Sequence, residues 1–415
     1  MRILISHCSY PSQFRRLAPA LAAEGHELVF LHRHHEWHAP QPEGFRLCRY
    51  QVARAGEDPA GHPYLRRFED AVAEGQAAYR AARQLAEEGF EPDLIISHAG
   101  FGGGLYLGDA FPKAKRIGLF EWYYNAFGSD VDFLQQGQVD ADRQLRVRTW
   151  NAHLLLELAD CDAAVVPTAW QRQQFPEAWR ERLLLIHEGV DVTTLRQLRK
   201  QPPPAPPWLP QGEVIELVSY VSRGFEPYRG FPQAMKALAL VQQQRPNAHV
   251  LIAGSDAVCY GAGREDGTTW AEWARQEAGL VHERTHWLGA LQTNDYHSLL
   301  AHTQAHLYLT IPFVLSWSLI EAMAAGCPLV ASATPPVEEV INHGFEGLLA
   351  PFWEPEAIAA GLCSLLNNQE RATRLGKAAR KAARGYAAEA GLQAWRELIR
   401  ETTEQGPVGK PEYKC

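Results

Sequence analysis

The chain has 415 residues, enough for two domains of ordinary size, each with its own core. Its 46% hydrophobic and 21% charged content is that of a soluble globular protein, and a formal net charge of −8 excludes a general nucleic-acid coat. Seven cysteines are scattered with no CxxC pair and no His/Cys cluster, which reads as buried free thiols in a reducing compartment and gives no metal site.

In chain order, Arg2–Ser6 is a short apolar strand pattern that lacks a signal peptide's apolar core and cleavage site, so no signal peptide is expected. The turn His7–Gln13 leads to a helix over about 14–24 that stops at Gly25, and Leu28–Leu31 is the next strand. This β-α-β opening is that of a doubly wound α/β domain, whose ligands bind at the carboxyl ends of the strands. A long amphipathic helix is predicted over 64–88 with Gly89 as its stop. Asp93–Ser97 is a buried strand that leaves through the glycine-rich loop His98–Gly104. Arg116–Phe120 is another strand and runs into Glu121 and three aromatic residues; a helix near 143–157 precedes the strand Ala163–Pro167.

Gln201–Pro210 holds six prolines in ten residues and reads as a stiff interdomain linker. The expected organisation is an N-terminal domain over 1–200, a linker over 201–211 and a second α/β domain over 212–385. A helix over 386–400 is expected to pack back towards the first domain, followed by a frayed tail over 401–415. In the second domain the predicted elements are Glu216–Val221, a helix over 231–244, His249–Ala253, and strands near His286 and Leu307. The pattern over 370–400 is helical and carries Lys377, Arg380, Lys381 and Arg384. Such a helix allows peripheral membrane contact, although a solvated face is the favoured reading. No apolar run approaches the roughly 18 residues of a membrane span, so a cytoplasmic protein is expected.

Tyr308–Ser332 (YLTIPFVLSWSLIEAMAAGCPLVAS) reads as strand, loop, helix, glycine stop and strand. Its loop offers the hydroxyls of Ser316 and Ser318 and helix-start N–H groups, and Glu321 lies in the first turns. Arg223 and the pair Arg229-Gly230 follow the earlier strand. Two cations and a helix N-terminus suit a diphosphate, and a carboxylate accepts from ribose or sugar hydroxyls, so the set suits a nucleoside diphosphate bearing a sugar. Bland readings compete. Ser318-Leu-Ile-Glu321 is also a capping box, and an isolated Arg-x5-Arg is commonly surface charge.

Several ordered blocks resemble the nucleotide-sugar glycosyltransferases of family 4 (retaining, group 1 type): VSYVSRGFEPYRGF, HVLIAG, SLIEAMAAGCPLVAS and PPVEEVI, with VVPTAWQRQQF and LLIHEGVD before the linker. The resemblance is strong over about 160–385 and weaker over the first 130 residues. It implies the GT-B architecture, two facing Rossmann-like domains with an interdomain cleft. It also implies retaining, metal-independent glycosyl transfer from a nucleoside-diphosphate sugar, UDP being the family's commonest carrier.

Carried over by position, Arg223 and Arg229, with Gly230, Ser316 and Ser318, would hold the diphosphate. Glu321 would hold the ribose, as the second glutamate of the family's E-x7-E motif. Gly254 matches the strand-end glycine beside the sugar or base pocket. The departure is Phe313, which stands where the family has a glutamate engaging the transferred sugar; Trp317 is placed to stack on sugar or base, or to fill core. In the first domain, Ser9–Gln13 lacks the family's glycines. His98 resembles a histidine at the corresponding strand end, and Glu121 is placed to orient the acceptor or act as acid or base. For both, a purely structural role is the competing reading.

The acceptor is left open between a glycan, a lipid-linked and a small molecule. Loss of the sugar glutamate also fits a silent nucleotide-sugar binder, and a GT-B-like epimerase is a third reading. No cofactor or nucleic-acid partner is expected, and oligomeric state is left open.

Overall fold

Near-continuous apolar runs such as Ile3–Ile5, Leu94–Ile96 and Val250–Ala253 are buried on both faces, the pattern that parallel strands require when helices cover each side. The computed structural model describes residues 1–35, 44–52, 61–212 and 214–404. Most of the expected tail lies outside these residues. By internal packing the chain forms two units: Met1–Phe127 with Gln138–Gly189 and the helix Ala388–Glu404, and Gly128–Gly137 with Val190–Ala387.

The first unit holds a seven-stranded parallel sheet in the order Arg46–Arg49, Glu27–His32, Arg2–Ser6, Leu94–His98, Lys115–Leu119, Ala163–Val166, Leu183–Leu185. The second holds a six-stranded parallel sheet: Thr285–Gly289, Ala248–Ser255, Glu216–Gly224, Ala305–Tyr308, Leu329–Ser332, Leu348–Ala350. In each sheet the chain winds outwards from its first strand, then reverses beside it. These are Rossmann-like sheets, and each reversal opens a ligand crevice at the strand ends.

The glycine stops are real: Gly89 and Gly326 follow their helices at φ of +90° and +79°, a region that disfavours residues with a Cβ. Arg380 completes the second of these ends, donating at 2.9 Å to the Ala325 carbonyl, so this basic residue is a helix cap rather than part of a solvated face.

Three predicted elements differ. The helix over 143–157 is two helices, Ala141–Thr149 and Ala152–Asp160. Between them, buried Asn151 accepts from the Tyr124 N–H (2.8 Å) and donates to the Tyr124 carbonyl (2.9 Å), acting as a stretch of backbone would. The 370–400 run is likewise divided, into Gln369–Ala382 and Ala388–Glu404. The proline segment lies within the second unit, with Leu209 buried and the Trp208 indole donating to Asp295 at 3.0 Å.

Candidate active site

In the second unit the reversal falls between Glu216–Gly224 and Ala305–Tyr308, and the expected donor residues leave these two strands. Arg223 is exposed at the end of the first. Arg229 is buried, and its guanidinium donates to Thr310 Oγ1 (2.8 Å) and the Val314 carbonyl (3.0 Å), in the loop after the second strand. Burial works against its charge, yet the facing Tyr308, Tyr260 and Glu226 keep its pKa above the ordinary arginine value. Gly230 has φ +61° and directly precedes the helix Phe231–Gln244; a Cβ there would lie 2.6 Å from Leu309 Cβ.

The helix Trp317–Ala325 starts two residues earlier than a Ser318 cap would require. Ser316 is the N-cap and its Oγ accepts from the Ser318 N–H (3.3 Å), while the Ser316 N–H is fixed by the Tyr308 hydroxyl (3.0 Å). Glu321 is therefore outside any capping box; its Oε2 accepts from the Tyr296 hydroxyl at 3.1 Å. Trp317 packs half-buried against the core, and Gly254, the last residue but one of Ala248–Ser255, has φ +148°. Phe313 is buried edge-on to Tyr228 (5.3 Å) and Tyr260 (5.4 Å), a ring cluster that reaches Arg229 through Tyr260 at 5.5 Å.

The first unit has its own cluster at its own reversal. His98 ends Leu94–His98, and its Nδ1 accepts from the Gly100 N–H at 3.1 Å, which leaves the ring proton on Nε2. Nε2 lies 3.2 Å from Glu121 Oε2, close but off the line of an aligned hydrogen bond. The ring of His98 stacks on Phe101 (5.3 Å) and meets His7 edge-on (4.7 Å). His7 was not singled out from the sequence, although its place directly after the first strand was the available signal. Thr310, Tyr260 and Glu226 were also missed. Among the described residues no group of three or more His, Cys, Asp or Glu side chains could hold a metal ion. No helix among them is long and apolar enough to cross a membrane.

Residues 24–195 match the model of the glycosyl transferase family 4 group, and residues 215–382 match that of the glycosyl transferases group 1. A phosphatidyl-myo-inositol mannosyltransferase of Mycobacterium leprae is 29% identical, over 58% of this chain and 57% of its own length. Among solved structures, sucrose-phosphate synthase from Thermosynechococcus elongatus superposes with a TM-score of 0.67 at 20% identity, covering 97% of this chain and 98% of its own. The Anabaena protein HepE, solved with UDP-glucose, gives 0.66 at 18% identity over 97% and 100%. These likenesses establish the fold: two Rossmann-like domains of the GT-B type.

Proposed function

The chain belongs to the family 4, group 1 glycosyltransferases, enzymes that transfer glycosyl groups, and we propose that it takes its sugar from a nucleoside-diphosphate sugar and transfers it with retention of configuration. One grouping carries this reading. Arg223, Arg229 and the N-terminal turn of Trp317–Ala325 leave the two strands that flank the reversal in the second sheet, and Glu321 lies in the same helix. Guanidinium groups and helix-start N–H groups stabilise the charge that grows on a departing diphosphate. Glu321, with one oxygen on Tyr296, has acceptor capacity for a ribose hydroxyl. In this reading those groups do what a metal ion would otherwise do.

The acceptor hydroxyl attacks from the side on which the diphosphate leaves. The bond from the anomeric carbon to the phosphate oxygen breaks, the bond to the acceptor oxygen forms, and the proton passes to the departing phosphate. His98 and Glu121 have the part of orienting the acceptor. UDP is the default carrier, a choice favoured by the UDP-glucose in the Anabaena neighbour.

The test is a thermal-shift panel of UDP, GDP, ADP, dTDP and CMP with their sugars; a ligand at 100 times its dissociation constant adds about 2.7 kcal/mol. Turnover with and without chelator, and the anomeric configuration of the product, then follow for the selected donor. A panel with no shift sinks the proposal. Binding without transfer to any acceptor in an extract points to the silent binder, which the ring-filled position of Phe313 favours.

A further inference from the structure

In the sequence between Arg223 and Arg229 stands a carboxylate with no exposure at all, Glu226. Its Oε2 accepts from three successive backbone N–H groups, those of Cys259 (3.2 Å), Tyr260 (2.8 Å) and Gly261 (2.7 Å). Its Oε1 is buried with no hydrogen-bond partner among the described residues. Successive N–H groups turned inwards make an anion nest, and here the chain's own carboxylate fills it. Bonds to an ionised acceptor are roughly twice as strong as neutral ones.

The approach depends on missing side chains. A Cβ at Gly224 would lie 2.4 Å from the Ala257 carbonyl oxygen, and one at Gly261 would lie 3.0 Å from the Tyr228 ring. The loop tied down in this way carries Tyr260, whose ring lies 5.5 Å from the Arg229 guanidinium. The same ring stacks on Tyr228 at 6.4 Å and meets Phe313 at 5.4 Å.

We infer that Glu226 is a positioning residue for the donor sugar. By fastening Cys259–Gly261 it holds Tyr260 against Arg229, and so keeps the ring wall of Tyr228, Tyr260 and Phe313 beside the diphosphate cations. This rests on the nucleotide-sugar reading above. The cations meet the diphosphate, and the rings meet the C–H faces of the sugar next to it. Loosening the loop therefore weakens the nucleotide sugar more than the bare diphosphate.

The experiment compares the parent with Glu226→Ala, Glu226→Gln and Tyr260→Ala. Affinities are measured for UDP, GDP, ADP and dTDP, each with and without glucose attached. Cys259, the exposed thiol among the described cysteines, reports on the loop through its alkylation rate, read by peptide mass mapping. Glu226→Ala is expected to speed alkylation of Cys259 and to weaken the sugar conjugate about ten-fold more than the diphosphate, the scale of one lost buried contact. Glu226→Gln keeps an oxygen acceptor and restores most of both. Tyr260→Ala, with the clamp intact, reproduces the sugar-selective loss and keeps the test decisive if Glu226→Ala does not fold. Equal loss for both ligand types, unchanged alkylation, or a faster loop with unchanged sugar affinity overturns the inference. Failure of the parent to bind any of the eight ligands overturns the nucleotide-sugar reading itself, and the inference with it.

Discussion

Two arginines six positions apart carry different loads. Arg223 is exposed, whereas Arg229 is buried and tied to Thr310 and Val314. Arg223→Ala, at an exposed position, should cost the free protein far less stability than Arg229→Ala and weaken a nucleoside diphosphate, but not the nucleoside, by about 1.5–3 kcal/mol, the range of a charge-assisted contact. Arg229→Ala should lose both stability and binding, because Thr310 and the Val314 carbonyl lose a buried donor. Calorimetric titration and a ligand-free melt separate the two, and equal loss of nucleoside and diphosphate with Arg223→Ala would move the phosphates elsewhere. Glu321 can be isolated in the same manner. Ser316 rather than Ser318 is the helix N-cap, and Glu321→Gln keeps an oxygen for the Tyr296 hydroxyl, so the fold should hold while nucleotide affinity falls several-fold. A variant that melts early yet binds normally when folded would make Glu321 a structural residue.

At the level of elements, glycine makes the donor loops possible. Gly254 has φ +148°, and a Cβ there would lie 2.1 Å from the Ser222 carbonyl oxygen and 2.8 Å from the Phe225 ring. The backbone strain alone costs about 1–3 kcal/mol, so Gly254→Ala should lower the urea midpoint of the second unit and push the end of Ala248–Ser255 away from that of Glu216–Gly224, which carries Arg223. An unchanged midpoint would contradict this. The strand–loop–helix blocks were legible because apolar runs, helical periodicity and glycine stops are local signals; the helix Phe231–Gln244 has its expected bounds. The break at Asn151 was not legible, since its side chain finds its partner in Tyr124, 27 residues away. Moving the cap from Ser318 to Ser316 required the Tyr308 hydroxyl, which pins the loop from the preceding strand. Glu226 drew no reading from the sequence for the same reason: its partners are backbone N–H groups 33–35 residues later. Neither side chain had a local pattern to betray it.

For the whole molecule, buried titratable groups set a pH optimum. Burial, reinforced by the charge of Asp160 and only partly opposed by the Ser97 hydroxyl, pushes the Glu157 carboxyl up to about 8. Its Oε1 has no hydrogen-bond partner among the described residues. The folded protein thus keeps a proton that the unfolded chain releases near the usual carboxylate value, so this group's contribution falls as pH rises from about 4.5 to about 8. Burial lowers His153, His187 and His306 to about 4, and for these the unfolded chain takes up protons first. Their contribution is complete above pH 6.5 and falls as pH drops towards 4. Below 6.5 three histidines outweigh one carboxyl, and above it Glu157 acts alone among these four. Apparent stability should therefore peak near pH 6.5 and decline by about 2 kcal/mol towards pH 8. Glu157→Gln imitates the protonated acid and can still accept from Ser97, so it should flatten the alkaline limb and leave the acid limb in place. Urea midpoints at about pH 5, 6.5 and 8 for parent and variant decide the matter. An alkaline decline of the same size in Glu157→Gln would assign it to other groups.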